Sequence, residues 1–198
     1  MKNSTKLIGV IVIIALSACV VYYFVKDVNP NPRYKAGQVI DSLNGVAVYY
    51  NAGVNEVYGE NFSEDGYFIG LKYQCVEFCN RYYYQYYHFK MPDSHGNANE
   101  FFDKSVKDGE LNARRGLLQF TNPSKSKPQA GDLVIFDKHP LGKYGHVAIV
   151  SEVNDKYVEI IQQNAGPFGR TRLKIPLVNK SHLFLEKKRK VIGWLRLK

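Results

Sequence analysis

The sequence predicts an α+β domain in which one helix packs on an antiparallel sheet, and three observations support this fold class. Residues 74–89 contain neither Gly nor Pro and predict a helix. Three short runs rich in Val and Ile follow, at 132–136, 146–153 and 157–163, and each is typical of a strand. Asn154-Asp155 separates the last two runs and indicates a hairpin turn. The strands therefore follow the helix and run antiparallel.

The remaining predicted helices, strands and loops rest on shorter stretches of sequence. Residues 45–50 predict a strand, 51–70 a loop rich in Gly, Asn and acidic side chains, and 97–106 a second, shorter helix. Residues 121–131 predict a surface loop, and 191–197 predict a last strand.

Length and composition limit the class of protein. The 198 residues suffice for one domain with one substantial core. A hydrophobic share of 45% and a charged share of 23% exclude a disordered chain and a coiled coil, and three cysteines exclude a disulfide-stapled scaffold. The net charge of +9 suits an anionic surface such as a cell wall or lipid headgroups. Nucleic acid is not expected as a partner, because no basic repeat has interleaved aromatic residues.

The N-terminus has the character of a membrane or export signal. An uncharged apolar run from Leu7 to Val25 is long enough to cross a hydrocarbon core as a helix. Leu16-Ser17-Ala18-Cys19 resembles the lipobox of bacterial lipoproteins, in which Cys19 would carry the lipid. The apolar run continues past Cys19, which instead favours an uncleaved anchor. Both alternatives place the following domain outside the cytoplasm, in a bacterial cell envelope.

These signals divide the chain into three parts. Residues 1–26 are the expected signal or anchor, and 27–37, with two prolines, are the expected linker. Residues 38–198 are the expected catalytic domain.

Cys75 lies at the start of the predicted 74–89 helix, where the helix dipole and free backbone N–H groups favour a thiolate. His146 begins a predicted strand after Gly145, which leaves backbone room for a substrate. Papain-type hydrolases use this arrangement: the imidazole takes the thiol proton and the thiolate attacks a carbonyl. The backbone N–H of Cys75 would then face the oxyanion. Gln74 and Gly145 are the expected oxyanion or substrate contacts.

A histidine base needs a third group that fixes its ring. Strand alternation places Gln162 and Asn164 on one face and Gln163 on the other. If this strand pairs with that of His146, one of the first two can accept the Nδ1 proton. An amide orients the ring less strongly than a carboxylate, since it does not stabilise the imidazolium by charge.

Other features of the helix have structural explanations. Cys79 is expected to be a small core residue rather than a zinc ligand. The tyrosines of 82–87 are expected to pack mainly in the core. Glu77 and Arg81 are spaced for an i,i+4 ion pair that supports the helix.

Several sequence blocks together resemble the CHAP family of cysteine, histidine-dependent amidohydrolases and peptidases. They are GLKYQCVEF at 70–78, GDLVIF at 131–136, GHVAIV at 145–150 and the pair Gln163-Asn164. Within the family, the likeness is to amidase domains of the glutathionylspermidine synthetase/amidase type, with GVAVY at 45–49 and IGW at 192–194 in addition.

The resemblance implies a papain-like fold, a Cys75 nucleophile, a His146 base, and no metal or cofactor. Two positions depart from the family pattern. Gln162 stands where the family usually has Glu, followed two residues on by Asn, here Asn164. The family's arginine after the cysteine is shifted or absent, with Asn80 five residues on and Arg81 next.

The expected function is an exported, membrane-tethered cysteine hydrolase that cleaves amide bonds in peptidoglycan peptides. Two alternatives stay open. The first is an amidase of small amides such as glutathionylspermidine, which the resemblance favours. The second is a binding module with weak catalysis, which Gln162 suggests.

Overall fold

The chain begins with one long exposed helix. The computed structural model describes residues 2–29, 31–140, 142–166, 168–179, 183–185 and 190–198. Helix α1, Lys2–Asp27, contains an apolar window, Lys6–Tyr23, of which nothing is buried against the rest of the protein. Its length and composition fit a membrane span and equally a signal sequence.

The domain that follows combines one α-helix with strands. Helix α2 is Cys75–Tyr87, and a short 3-10 helix is Ala98–Phe101. The strands are β1 Val39–Leu43, β2 Val46–Tyr49, β3 Glu60–Phe62, β4 Phe68–Leu71, β5 Glu110–Asn112, β6 Leu117–Thr121, β7 Leu133–Phe136, β8 His146–Val153, β9 Tyr157–Ile161, β10 Arg172–Asn179, β11 Leu183–Leu185 and β12 Val191–Arg196.

Eight strands form one antiparallel sheet in the order β11-β10-β9-β8-β7-β12-β6-β5. The hairpins β1-β2 and β3-β4 lie outside it. The expected order, helix first and antiparallel strands after, is confirmed. In the β8-β9 hairpin, Ile149 pairs with Ile161, so the start of β8 and the end of β9 lie at the same sheet edge.

Helix α2 packs on one face of this sheet. Its Phe78, Cys79 and Tyr82 join a buried cluster with Val147 and Ile149 of β8. A second cluster, centred on Trp194, contains the intervening residues of the central strands. Because these strands are buried on both faces, they read in the sequence as continuous apolar runs.

The prediction of a second α-helix at 97–106 is wrong. Only the 3-10 helix forms there, and Phe102 is already extended. The Asp103 side chain accepts hydrogen bonds from the backbone N–H and the hydroxyl of Ser105 at 2.9 and 2.6 Å. Such local side-chain bonds offer the backbone an alternative to helix. The 51–70 loop is also more ordered than expected, since it contains β3 and the start of β4.

The residues after α1 are held against the domain. We call residues 28, 29 and 31–37 the connecting segment. The Tyr50 hydroxyl donates to Asn29 Oδ1 at 2.8 Å, and the Tyr34 ring lies 5.4 Å from that of Tyr50. Asn31 Nδ2 donates to the carbonyl of Phe168 at 3.4 Å. The segment therefore contacts both β2's end and the loop after β9.

Candidate active site

Cys75 is the first residue of α2 and is partly exposed. Gln74, the N-cap residue, is extended and makes no side-chain cap, so the first-turn N–H groups of the helix are not covered by that side chain. The Cys75 side chain packs beside the cluster that contains Val147 of β8. The structure thus places the candidate nucleophile at the helix start, next to the strand that His146 begins.

His146 is the first residue of β8 and is 4% exposed. Gly145 before it has a φ of 71°, and a Cβ there would lie 2.6 Å from the carbonyl oxygen of Phe136 and 2.7 Å from Asn99 Cβ. Only glycine fits this left-handed, crowded position. The Phe136 ring lies 5.8 Å from the imidazole. Gly145 therefore sets the entry into β8 that aims His146.

Gln162 contacts His146. Gln162 Oε1 lies 3.1 Å from His146 Nε2, and Gln162 Nε2 donates to the carbonyl of Arg170 at 3.4 Å. The second bond fixes which way the amide faces, so Oε1 accepts a hydrogen from Nε2 of the ring. The ring nitrogen that Gln162 engages is thus Nε2 and not the expected Nδ1.

Asn164 does not share this contact. The alternation expected for Gln162 and Asn164 ends with β9 at Ile161, and Asn164 has a left-handed φ of 52°. Its Nδ2 donates to Gln74 Oε1 at 2.7 Å and to the Val54 carbonyl at 2.9 Å. The side chain therefore turns to the start of α2, away from the course that an unbroken strand would give it.

Gln163, between Gln162 and Asn164, forms hydrogen bonds to the start of helix α2. It is 1% exposed, and its Nε2 donates to the Gln74 carbonyl at 3.0 Å and to Glu77 Oε2 at 2.9 Å. Its Oε1 accepts from the Tyr49 N–H at 2.7 Å. Residues 162–164 thus contact His146 on one side and the residue before Cys75 on the other. They bring both candidate catalytic residues to one edge of the sheet.

Glu77 and Arg81 form a buried ion pair under the first turn of α2. Arg81 Nε contacts Glu77 Oε1 at 2.6 Å, with side chains 5% and 1% exposed. The spacing predicted the pair, but not its burial. Arg81 also donates to the Ala47 carbonyl at 2.8 Å and lies 4.7 Å from the centre of the Tyr49 ring. The pair therefore joins the helix to β2 as well as supporting the helix itself.

Gln74 braces the site through its side chain. Its Nε2 donates to the Glu56 carbonyl at 2.7 Å, while its Oε1 accepts from Asn164. Both ends of this amide are engaged within the protein.

A small pocket opens beside Gln162 and Asn164. Tyr49 and Tyr50 line it, and Arg170 is its one charged lining residue among those the structure describes.

The remaining cysteines differ from Cys75. Cys79 is fully buried, and burial raises the pKa of its thiol well above the ordinary value, so its prediction as a core residue is confirmed. Cys19 is exposed on α1. Within the described parts of the chain, no three His, Cys, Asp or Glu side chains are grouped so that they could hold a metal ion.

A helix start carrying cysteine, packed on an antiparallel sheet whose strand begins with histidine, defines a papain-like class of protein. Residues 66–164 match the family model of the CHAP domain. The chain belongs to the CHAP domain family.

Particular relatives are longer than this chain. It is 32% identical over 137 residues to trypanothione synthetase of Crithidia fasciculata, which covers 69% of this chain and 21% of the relative. It is 33% identical over 132 residues to the bifunctional glutathionylspermidine synthetase/amidase of Escherichia coli (strain K12), covering 61% and 21%. The chain thus spans about a fifth of the length of these relatives.

Two solved structures are similar to the chain. The wild-type endolysin LysIME-EF1 has 21% identity and a TM-score of 0.38, over 72% of this chain and 60% of that one. Ly7917 has 20% identity and a TM-score of 0.34, over 62% and 53%.

Proposed function

We propose that this protein is a cysteine-dependent hydrolase of amide bonds, with Cys75 as nucleophile and His146 as base. The single observation that carries the proposal is the stretch 162–164, which contacts His146 at one end and the start of the Cys75 helix at the other. Membership in the CHAP domain family supports the same class of reaction.

In the proposed mechanism each ring nitrogen of His146 has its own role. Because Nε2–H of His146 donates to Gln162, Nδ1 accepts the proton of the Cys75 thiol. The thiolate then attacks the amide carbon, and the oxyanion faces the Cys75 N–H at the helix start. The imidazolium gives its proton to the leaving amine. Water, activated by the imidazole, hydrolyses the thioester and restores the thiol. Gln162 orients the ring without a charge.

Amide bonds of peptidoglycan peptides are the proposed substrate, and the bacterial cell envelope the proposed location. The support is the apolar helix α1 together with a net charge of +9, which suits an anionic wall. We propose residues 1–26 as signal or anchor, 27–37 as linker and 38–198 as the hydrolase domain. Palmitate labelling that is lost in Cys19→Ser supports lipidation of Cys19, and an unlabelled chain with its full N-terminus supports the anchor.

A second candidate is hydrolysis of a small amide such as glutathionylspermidine. The observation that favours it is the 33% identity to a relative whose name includes that amidase. Against it, a basic chain repels the polycationic end of such a conjugate. A binding module with weak catalysis is the third candidate, because Gln162 is neutral.

The test is hydrolysis by the purified full chain. Release of peptide fragments from purified sacculi, followed by mass spectrometry, is expected to fall at least about 1,000-fold in Cys75→Ala and to persist in Cys19→Ser. Turnover of glutathionylspermidine without turnover of sacculi supports the second candidate. No turnover of either substrate, with a Cys75 that iodoacetamide alkylates no faster than an ordinary thiol, supports the third.

A further inference from the structure

The connecting segment gives the candidate site a fixed place relative to α1. The apolar window ends at Tyr23 and α1 ends at Asp27, so the four helical residues between them rise about 6 Å. Asn29, two residues later, already accepts the hydrogen bond from Tyr50. A free ten-residue tether could instead extend about 33 Å from the helix end.

The anchoring point adjoins the site. Tyr50, 2% exposed, donates its hydroxyl to Asn29 and is one of the residues that line the pocket. Gln162 and Asn164 line the same pocket, and Asn164 binds Gln74 next to Cys75. Tyr50 thus connects Asn29, two residues after α1, to the pocket whose Gln162 and Asn164 contact His146 and the residue before Cys75.

Further contacts hold the segment along this rim. The Gly37 N–H donates to the Tyr50 carbonyl at 2.9 Å, and a Cβ on Gly37 would lie 2.7 Å from the Tyr73 hydroxyl. Asn29 Nδ2 donates to the Tyr34 carbonyl at 2.8 Å, which folds the segment back on itself. The segment is thus bound at both ends and cannot reach outward without breaking these contacts.

We propose that the connecting segment holds the active site at the membrane surface, so that the substrates are peptide amides carried by membrane-anchored molecules. This rests on the proposed function, and it narrows the substrate class. Amide bonds in the wall far from the membrane lie beyond the reach of a site fixed in this way. Lipid-linked peptides present their amide bonds at the same short distance from the membrane surface as the site.

The test measures the reach of Cys75 directly and needs no knowledge of the cleaved bond. The full chain, as Cys19→Ser, is reconstituted in vesicles that contain a phospholipid with iodoacetamide on its headgroup through a short spacer. The rate at which the lipid reagent alkylates Cys75 is measured by mass spectrometry. This rate is divided by the rate of Cys75 alkylation with soluble iodoacetamide, which gives a normalised rate. In the comparison variant, ten Gly/Ser residues are inserted between Asp27 and Val28, which adds a flexible reach of about 17 Å.

The insertion is expected to lower the normalised rate at least about threefold, because the effective concentration of the reagent at Cys75 falls as the linker lengthens. The same ten residues added after Lys198 serve as control and should change nothing. Equal normalised rates with and without the insertion, or no reaction of the original chain with the short-spacer lipid, would overturn the proposal. Hydrolysis of sacculi is scored separately, so failure of the proposed function is distinguished from failure of this placement.

Discussion

Replacing Arg81 with Met isolates the buried ion pair that supports the first turn of α2. The substitution leaves the Glu77 carboxylate, 1% exposed, with the neutral donors Asn61 and Gln163 at 2.8 and 2.9 Å as its remaining partners in the described part of the chain. Removing one partner of a buried pair costs about 3–5 kcal/mol, because the other charge stays desolvated. For a chain of this size, each kcal/mol shifts Tm by about 2–4 °C. We therefore expect Tm to fall by about 6–20 °C.

Thermal unfolding of the full chain in detergent, followed by circular dichroism, measures this shift. Arg114→Met is the matched control: Arg114 contacts Asp93 at 2.7 Å, but the two side chains are 53% and 34% exposed, so the loss should stay below about 1 kcal/mol. Adding Glu77→Gln to Arg81→Met removes the unpaired buried charge of Glu77 and should recover part of the lost Tm. A fall no larger in Arg81→Met than in Arg114→Met would refute the reasoning.

Three further predictions concern the site and the surface. Gln162→Glu should hold or raise hydrolysis of sacculi, since a carboxylate would orient His146 and stabilise its charged form; a large loss of turnover would count against an orienting role. Gly145→Ala should destabilise the chain and reduce turnover, because the new Cβ would meet the Phe136 carbonyl at 2.6 Å; unchanged urea unfolding would contradict this. The Arg114 guanidinium donates hydrogen bonds to the Asp93 carboxylate and thereby lowers the pKa of Asp93. Its folded pKa lies below its unfolded pKa, so its stabilisation is present above about pH 4 and is lost as the pH falls through the folded pKa. When the free energy of unfolding in urea is measured at a series of pH values, Asp93→Asn should reduce its decrease at acid pH. An unchanged decrease would show that the Asp93 carboxylate does not contribute.

The main helix and the strands beside it could be predicted because their signals are local. Residues 74–89 have no helix breakers, and the structure has Cys75–Tyr87 helical. The run at 146–153 matches β8, because the centre of this strand, Val147–Val150, is buried on both faces and is continuously apolar. By contrast, β10 was not predicted: its alternation of charged and apolar residues is short, and Pro176 interrupts it.

The contacts of the site depend on residues far apart in the chain. The i,i+4 spacing of Glu77 and Arg81 gave their pairing, but only the packing of β2 and Gln163 over them makes the pair buried. The direction of Asn164 follows from a left-handed backbone just after β9, which the alternation of a strand does not signal. For the same reason, the docking of the connecting segment on Tyr50 was not predicted from its prolines.

The proposed mechanism requires that folding bring Cys75 and His146 close enough to share a proton. Treatment of the native full chain with 1,3-dibromoacetone tests it most directly, because this three-carbon reagent can alkylate a thiol and an imidazole only when they are adjacent. We predict a Cys75–His146 cross-link in the peptide map of the native chain and none after unfolding in urea. Alkylation of Cys75 alone in the native chain, without a bridge to His146, would contradict it.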